Sequence, residues 1–447
     1  MKSASSAESP SGLIEKITDA SGRNPFLIGL LSLIAACAGF YALANISLDA
    51  VPDLSDVQVI VYTNWEGRSP SLVEDQVTYP ITSRFLGAPK VKAVRGLSMF
   101  GRSFVYVIFE DGTDIYWARS RVLEYLNSVR ESLPPGVTPT LGPDATGVGW
   151  VYEYALVDDT GQNNLAQLRS LQDWTLKYAL GSVKGVAEVA SIGGFVKEYQ
   201  VNVDPNKLIN HGVSLNDVVE AVRKSNSDVG GKSLEVSTTQ FFIRGRGYIH
   251  SLDDLRHIPL KASDGTPLTV DQVATVELGP DLRQGLAEFN GQGEAVGGIV
   301  VMRFGENALT VINGVKKKID QLKDSLPPGV RIVPVYDRSQ LILRSIDTLR
   351  SKLIEESIIV SLVCVFFLWH LRSALVAIIM LPMAVLLSFI PFAAMHLTAN
   401  IMSLGGIAIA IGAMVDAAII MIENAHKELE RARSDKTSDL TLSLIHI

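Results

Sequence analysis

Ile401-Met402-Ser403-Leu404-Gly405-Gly406-Ile407-Ala408-Ile409-Ala410-Ile411-Gly412-Ala413-Met414-Val415-Asp416-Ala417-Ala418-Ile419-Ile420-Met421-Ile422-Glu423-Asn424 is the stretch on which the fold turns. Between residues 401 and 422 the only charge is Asp416. A bilayer core about 30 Å thick needs about 20 helical residues, so the stretch predicts a membrane-spanning helix. An aspartate at the centre of such a helix costs about 2.5–3.5 kcal/mol to insert, and less toward an end, where Asp416 lies. A carboxylate in that setting is a candidate proton carrier, with a structural ion pair or an interhelical hydrogen bond as the alternative. At about 100° per residue, Gly405, Gly412, Asp416 and Glu423 share a face, so small residues let a second helix approach the acid. Met414 and Met421 share a different face, roughly opposite, and Met402 lies nearer the acid face but well before Asp416. A neutral thioether suits a soft monovalent ion such as Cu(I). Methionine is equally an ordinary packing residue, and spacing alone favours packing.

Outward from this helix, the apolar residues gather in blocks. Residues 374–395 carry no charge, and Pro382 and Pro391 predict a bent helix there. Residues 357–371 are uncharged and extend back through Leu353 and Ile354, with Glu355 and Glu356 near the outer interface; residues 337–371 form the helix leading into this span. Residues 24–48 are uncharged between Arg23 and Asp49. Ala42-Leu43-Ala44 resembles a signal-peptidase site, but the run exceeds an ordinary signal core, so an uncleaved anchor is expected. Lys16 and Arg23, Arg372, and Lys427, Arg431 and Arg433 then fall on one side of a four-span chain, which is the cytoplasmic side by the basic-residue rule. Residues 1–23 and 423–447 are cytoplasmic in this plan, and residues 49–356 lie outside the cytoplasm.

Composition agrees. The chain has 447 residues, 40 Lys+Arg against 47 Asp+Glu, and a formal net charge of −7, which does not suit a nucleic-acid coat. At 47% hydrophobic and 19% charged it is not disordered, and two cysteines exclude a disulfide scaffold or a cysteine zinc framework. Mean hydropathy is +0.24.

The extracytoplasmic stretch holds a repeat. Ser132-Leu133-Pro134-Pro135-Gly136-Val137 recurs as Ser325-Leu326-Pro327-Pro328-Gly329-Val330, each copy ending an amphipathic run, residues 114–131 and 307–324. Leu86-Gly87 before Val91 and Val94 echoes Leu180-Gly181 before Val186 and Val189. Alternating or β-branched runs at 57–63, 103–110, 151–157, 199–203 and 297–302 predict strands. Duplicated strand–helix–strand units suggest two ferredoxin-like α+β layers, the second interrupted by an inserted subdomain between about 196 and 278. The fold class expected is thus an α-helical membrane bundle with a large α+β domain. His211, His250 and His257 match no metal spacing and read as solvated, and Met99 and Met302 read as core residues.

The residues 412–424, followed by Ala425-His426-Lys427, resemble the fourth-helix signature of the heavy-metal branch of the resistance-nodulation-division (RND) efflux transporters, and in particular the copper/silver-exporting pumps. Asp49-Ala50-Val51-Pro52-Asp53-Leu54-Ser55-Asp56-Val57-Gln58-Val59, Gly142-Pro143-Asp144-Ala145-Thr146-Gly147 and Tyr336-Asp337-Arg338-Ser339-Gln340 are similar to the same family, and the likeness runs from about residue 24 to about 430. It implies a proton-driven exporter of Cu(I) and Ag(I) in the inner membrane of a Gram-negative cell. The exporter would work as a homotrimer with a periplasmic adaptor and an outer-membrane channel, with no permanently bound cofactor. It implies a porter subdomain at 49–140, a second at 141–185 with 279–336, and a docking subdomain at 186–278. Asp416 matches the proton-relay acid, and Met402, Met414 and Met421 match thioether positions of the copper/silver branch. Ala417 stands where drug-exporting relatives place a second aspartate. The family has twelve membrane helices and this chain has four predicted spans, so an N-terminal fragment of a transporter is expected. A drug exporter of the same fold, and a membrane-anchored periplasmic binding or sensory protein, are the rival readings.

Overall fold

In the computed structural model of the chain, residues 20–434 are described apart from 22, 264–265, 284, 369–370 and 396; some side chains of the long helices after residue 338, that of Asp416 among them, lie outside the described residues. Among the elements whose bounds are described, the first, α1 (Pro25–Asn45), opens with proline at its first turn and ends where Ile46 turns extended. It is apolar on all sides and buries only Gly39 and Ala42. Gly39 is needed for that contact, because a Cβ there would stand 2.5 Å from the Leu386 carbonyl oxygen. Among the described residues this is the one helix long and apolar enough to cross a membrane.

The first α+β layer follows: β1 (Gln58–Asn64), α2 (70–85), β2 (Val91–Met99), β3 (Arg102–Phe109), α3 (Ile115–Val129) and β4 (Pro139–Leu141). The sheet order is β2-β3-β1-β4, the ferredoxin-like arrangement. The second layer repeats it with β5 (Trp150–Asp158), α4 (165–181) and β6 (Val186–Gly193). An inserted subdomain then intervenes, and β13 (Val296–Met302), α9 (Ala308–Leu322) and β14 (Val330–Asp337) complete the sheet in the order β14-β5-β13-β6. Every residue of β13 is buried, as a central strand covered on both faces should be. β6 pairs with β13 from Val186↔Met302 to Gly193↔Val296, so residues 186–193 belong to the second layer and the insertion begins only after them.

The duplication extends to irregular details. After α3 and α9 a 3₁₀ turn, Arg130–Ser132 or Lys323–Ser325, leads into the shared hexapeptide. In both copies the serine hydroxyl donates to a carbonyl three residues back, Val129 or Leu322, at 2.7 Å. The glycines take φ of 83° and 82°, the left-handed region that favours glycine. Both first helices contain a π turn, Glu74–Thr78 in α2 and Gln172–Leu176 in α4. Each π turn carries a buried polar residue bonded to two strands. Thr78 meets Ser103 (2.7 Å) and Ser98 (2.8 Å); Gln172 accepts from the Tyr154 hydroxyl (2.8 Å) and reaches Ser191 at 3.4 Å. The Leu-Gly echo is displaced by one residue. Leu180 is buried and corresponds to buried Phe85, whereas Leu86 is 70% exposed.

The insertion comprises β7 (Lys197–Val203), α5 (Pro205–His211), α6 (Leu215–Ser225), β8 (Val229–Val236), β9 (Thr239–Gly245), α7 (Leu252–Arg256), β10 (Pro259–Ser263), β11 (Thr266–Thr269), α8 (Val270–Val273) and β12 (Ala274–Pro280). It leaves and rejoins the second layer on the antiparallel pair β7–β12 and has its own core around Val213, Val218, Leu255, Ile258 and Val273. The β8–β9 hairpin is exposed along both strands.

The chain then runs through α10 (Arg338–Leu368), α11 (Leu371–Ala394) and α12 (Ile401–Ser434). Pro382 and Pro391 both lie inside α11. Ala42 of α1 and Ile46 just after it, Val385 and Phe389 of α11, and Leu404, Ile407 and Ile411 of α12 form one apolar cluster, so the helices pack as a bundle.

Candidate transport site

The site is built where the bundle meets the sheets. After α1 the chain becomes extended, and residues 47–50 zip onto residues 399–401. The Ala399 amide donates to Ser47 (2.9 Å), Asp49 to Ala399 (3.0 Å) and Ile401 to Ala50 (3.2 Å), with a parallel bridge Leu48↔Ala399. This strap fixes where α12 begins. Asn400 caps it: its side-chain oxygen accepts from the Ser403 amide at 3.0 Å, and the Ser403 hydroxyl accepts from the Asn400 amide at 2.7 Å.

Met402 therefore stands in the first turn of α12, 69% exposed, on the wall of a cleft of about 1230 Å³. Tyr41, Asp49, Asp53, Phe304 and Glu306 line other parts of that cleft. Asp53 is held by the Thr146 hydroxyl (2.6 Å) and the Ser55 amide (3.0 Å). Asp144 forms an ion pair with Arg303 (3.1 Å) and accepts from the Tyr116 hydroxyl (3.3 Å), which ties α3 of the first layer to the end of β13 in the second. Burial, and then the Asp144 carboxylate beside it, raise the Tyr116 phenol above its ordinary value. At the end of β14, burial alone would raise the Asp337 carboxyl. Hydrogen bonds from Lys316 and Ser339 outweigh it and hold the group below the usual aspartate range. Motifs 49–59, 142–147 and 336–340 meet at one junction, through the Thr146–Asp53 hydrogen bond and a 3.4 Å contact of Arg338 with Asp49, although they lie far apart in the sequence.

The sequence-derived site residues do not all converge. Met402, Met414 and Met421 share α12, but at 1.5 Å per residue Met414 lies about 18 Å beyond Met402 and Met421 about 10 Å further. Met414 packs half-buried against the apolar cluster of the bundle, and Met421 is 57% exposed. Asp416 lies on the same helix, and its side chain is outside the described residues. The three thioethers therefore form successive single positions rather than one chelate. Among the described residues no group of three His, Cys, Asp or Glu is placed to hold a metal ion. His211, His250 and His257 are exposed, as expected. Met302 is in the core, but Met99 is corrected: it ends β2 beside the hairpin tip and is 46% exposed. The sequence reading missed Asp53, Thr146, Phe304 and Glu306 as residues lining the same cleft as Met402. The signal for the first two was present only as motif likeness.

A family model for the AcrB/AcrD/AcrF family matches residues 17–445. The cation efflux system protein CusA of Escherichia coli (strain K12) is 58% identical over 419 residues, which cover 94% of this chain and 40% of that protein. The putative cation efflux system protein SilA of Salmonella typhimurium is 56% identical over the same share of each chain. The cobalt-zinc-cadmium resistance protein CzcA of Cupriavidus metallidurans is 35% identical over 438 residues, 96% of this chain and 41% of that one. The crystal structure of a heavy metal efflux pump superposes with a TM-score of 0.82 at 33% identity, covering 93% of this chain and 41% of the pump. This chain thus spans about two-fifths of the length of the relatives it matches. With the family model matched along nearly its whole length, the chain belongs to the AcrB/AcrD/AcrF family of transporters.

Proposed function

We propose that this chain is the N-terminal part of an inner-membrane exporter of monovalent soft metal ions, Cu(I) and Ag(I), driven by proton antiport. In this reading α1, the second half of α10, α11 and the first part of α12 cross the membrane, and the two α+β layers and the insertion lie in the periplasm. They serve there as porter and docking subdomains of a homotrimer that works with a periplasmic adaptor and an outer-membrane channel. Met402, Met414 and Met421 pass the ion and Asp416 carries the proton.

The observation that carries the reading is the exposed Met402 thioether on the cleft wall at the start of α12, with two further methionines along the same helix. A neutral sulfur needs no deprotonation, binds Cu(I) and Ag(I), and holds hard ions poorly. The identity to a cation efflux protein over nearly the whole chain supports it. The rival reading as a drug exporter is disfavoured by Ala417 beside Asp416, where such exporters resemble one another in carrying a second acid.

The test is a full-length transporter in which residues 24–430 of this chain replace the matching stretch of the E. coli relative. Replacing all three methionines by Leu keeps apolar bulk and removes the sulfur lone pairs. The expected result is loss of silver and copper tolerance, with the parent chimera giving no tolerance to Zn(II), Co(II) or Cd(II). Unchanged silver and copper tolerance in the triple variant would reduce the methionines to packing.

A further inference from the structure

Arg338 is the first residue of α10 and is almost fully buried, with 7% of its side chain exposed. A buried guanidinium is expensive unless its donors are met. One nitrogen, Nη2, donates to the Trp150 carbonyl oxygen at the start of β5 (2.8 Å), and Nη1 reaches Asp49 Oδ1 at 3.4 Å. Its Nε has no hydrogen-bond partner among the described residues. Asp49 is itself 13% exposed, and the same oxygen accepts from the Ala50 amide at 2.6 Å. The Asp49 amide donates to Ala399, next to the residue that caps α12.

A single planar fork therefore joins the second sheet, the head of α10 and the strap that sets the start of α12. The geometry points to Arg338 and Asp49 as positioning residues that transmit movement of the second α+β layer to the first turn of α12, and so to Met402. The path is short and continuous. A shift of β5 against α10 moves the Trp150 carbonyl, the guanidinium follows it or lets it go, and the Asp49 carboxylate carries residues 49–50 with it. Those residues hold Ala399 and Ile401 by backbone hydrogen bonds. The ionic contact is long, at 3.4 Å, so the guanidinium is not locked onto the carboxylate as a close bidentate pair would be. A lysine could meet the carboxylate or the carbonyl but lacks the fork that holds both. The inference deepens the export reading and rests on it for its consequence, the placement of Met402.

The linkage itself is tested without transport, by hydrogen exchange of the full chain in lipid nanodiscs. Arg338→Lys keeps the buried charge, so its effect is on the connection. Peptides covering residues 47–50 and 397–403 are expected to exchange about tenfold faster, as loss of one charge-assisted hydrogen bond allows. Residues 58–64 and 102–109 of the first sheet should keep their protection, which also reports that the variant is folded. Asp49→Asn, which keeps shape and an acceptor oxygen, should give the same pattern. Because both changes cut one link, the double variant should exchange no faster than the faster single variant. Unchanged exchange at the strap, acceleration spread equally over both sheets, or additive effects would each overturn the proposal. These outcomes are separate from the export reading, which fails on the methionine tolerance assay and can fail there while the linkage stands.

Discussion

The two copies of Ser-Leu-Pro-Pro-Gly-Val offer a controlled comparison, because the same backbone turn sits in different surroundings. Gly136 and Gly329 have φ of 83° and 82°, a conformation that costs an L-residue about 1–2 kcal/mol. Around Gly136 a Cβ would meet nothing within 4 Å. At Gly329 it would stand 2.4 Å from Thr160 Cγ2, 2.8 Å from Thr160 Oγ1 and 3.1 Å from Asp158 Oδ1. Thr160 cannot simply turn aside, because its hydroxyl donates to Asp158 at 2.6 Å, and Asp158 also accepts from the Thr160 amide (2.9 Å) and the Asn163 amide (2.7 Å). Gly136→Ala is therefore expected to destabilise the first layer by about 1–2 kcal/mol. Gly329→Ala adds an overlap worth about 1–3 kcal/mol, for a total of about 2–5 kcal/mol in the second layer. A chain of several folding units has no single unfolding midpoint. The assay is thus native-state hydrogen exchange in low denaturant, read separately at the amides of β1–β3 and β5–β13. Equal losses in the two layers, within the scatter of about 0.5 kcal/mol found for ordinary surface substitutions, would refute the steric argument. No loss at all for Gly136→Ala would refute the conformational one.

Two further outcomes follow from the site. In the chimeric transporter, Asp416→Asn is expected to leave expression near normal and abolish metal-dependent proton movement in proteoliposomes, since Asn is nearly isosteric but cannot ionise; coupled flux at the parent rate would remove Asp416 from the proton path. For Asp337, the folded carboxyl is held below its ordinary value, so the stability it lends is fully present above about pH 4 and drains as pH falls through the folded value. Lys316→Gln should destabilise the second layer at neutral pH, and its difference from the parent should shrink below about pH 4 in urea unfolding series; a difference that does not change with pH would mean the Lys316 contact acts by packing alone.

How much of this was legible depends on how regular each element is. Strands predicted at 57–63, 103–110, 151–157 and 297–302 appear as Gln58–Asn64, Arg102–Phe109, Trp150–Asp158 and Val296–Met302. These are the central strands of each sheet, where burial demands β-branched residues. The edge strands β2 and β6 escaped, because β2 is largely part-exposed or exposed and carries no clean alternation. The first helix of each layer escaped for a sharper reason. Beside Thr78 and Ala166, its buried residues form a stripe spaced by four, Val73, Val77, Ile81 and Phe85 in one copy and Leu168, Gln172, Leu176 and Leu180 in the other. In a plain α-helix that spacing drifts by about 120° over twelve residues, so it does not read as one face. The π turn inserts one residue, cuts the drift to about 20°, and lets the whole stripe lie on the sheet. The irregular spacing and the irregular turn are one feature seen at two levels.

The candidate residues were legible as residue types and not in their arrangement. Asp49 and Arg338 lie 289 positions apart, and two opposite charges at the ends of unrelated elements look solvated until burial shows otherwise. The methionines, in contrast, were visible as a set, and the structure changes what that set means. Three thioethers on one helix would hold a soft ion firmly only if they converged. Spread along α12 at intervals of about 18 Å and about 10 Å, they cannot close together on one ion. Under the export reading this is the useful arrangement. An ion that is to leave must not sink into a closed multi-thioether cage, and conduction needs sites weak enough to release their cargo to the next. Met402 differs from the other two because its position depends on the strap at residues 47–50 and 399–401, and hence on a connection to the sheets. Under that same reading, entry of the ion at Met402 would answer to the state of the α+β layers, and passage beyond Met414 to the bundle and the acid at 416.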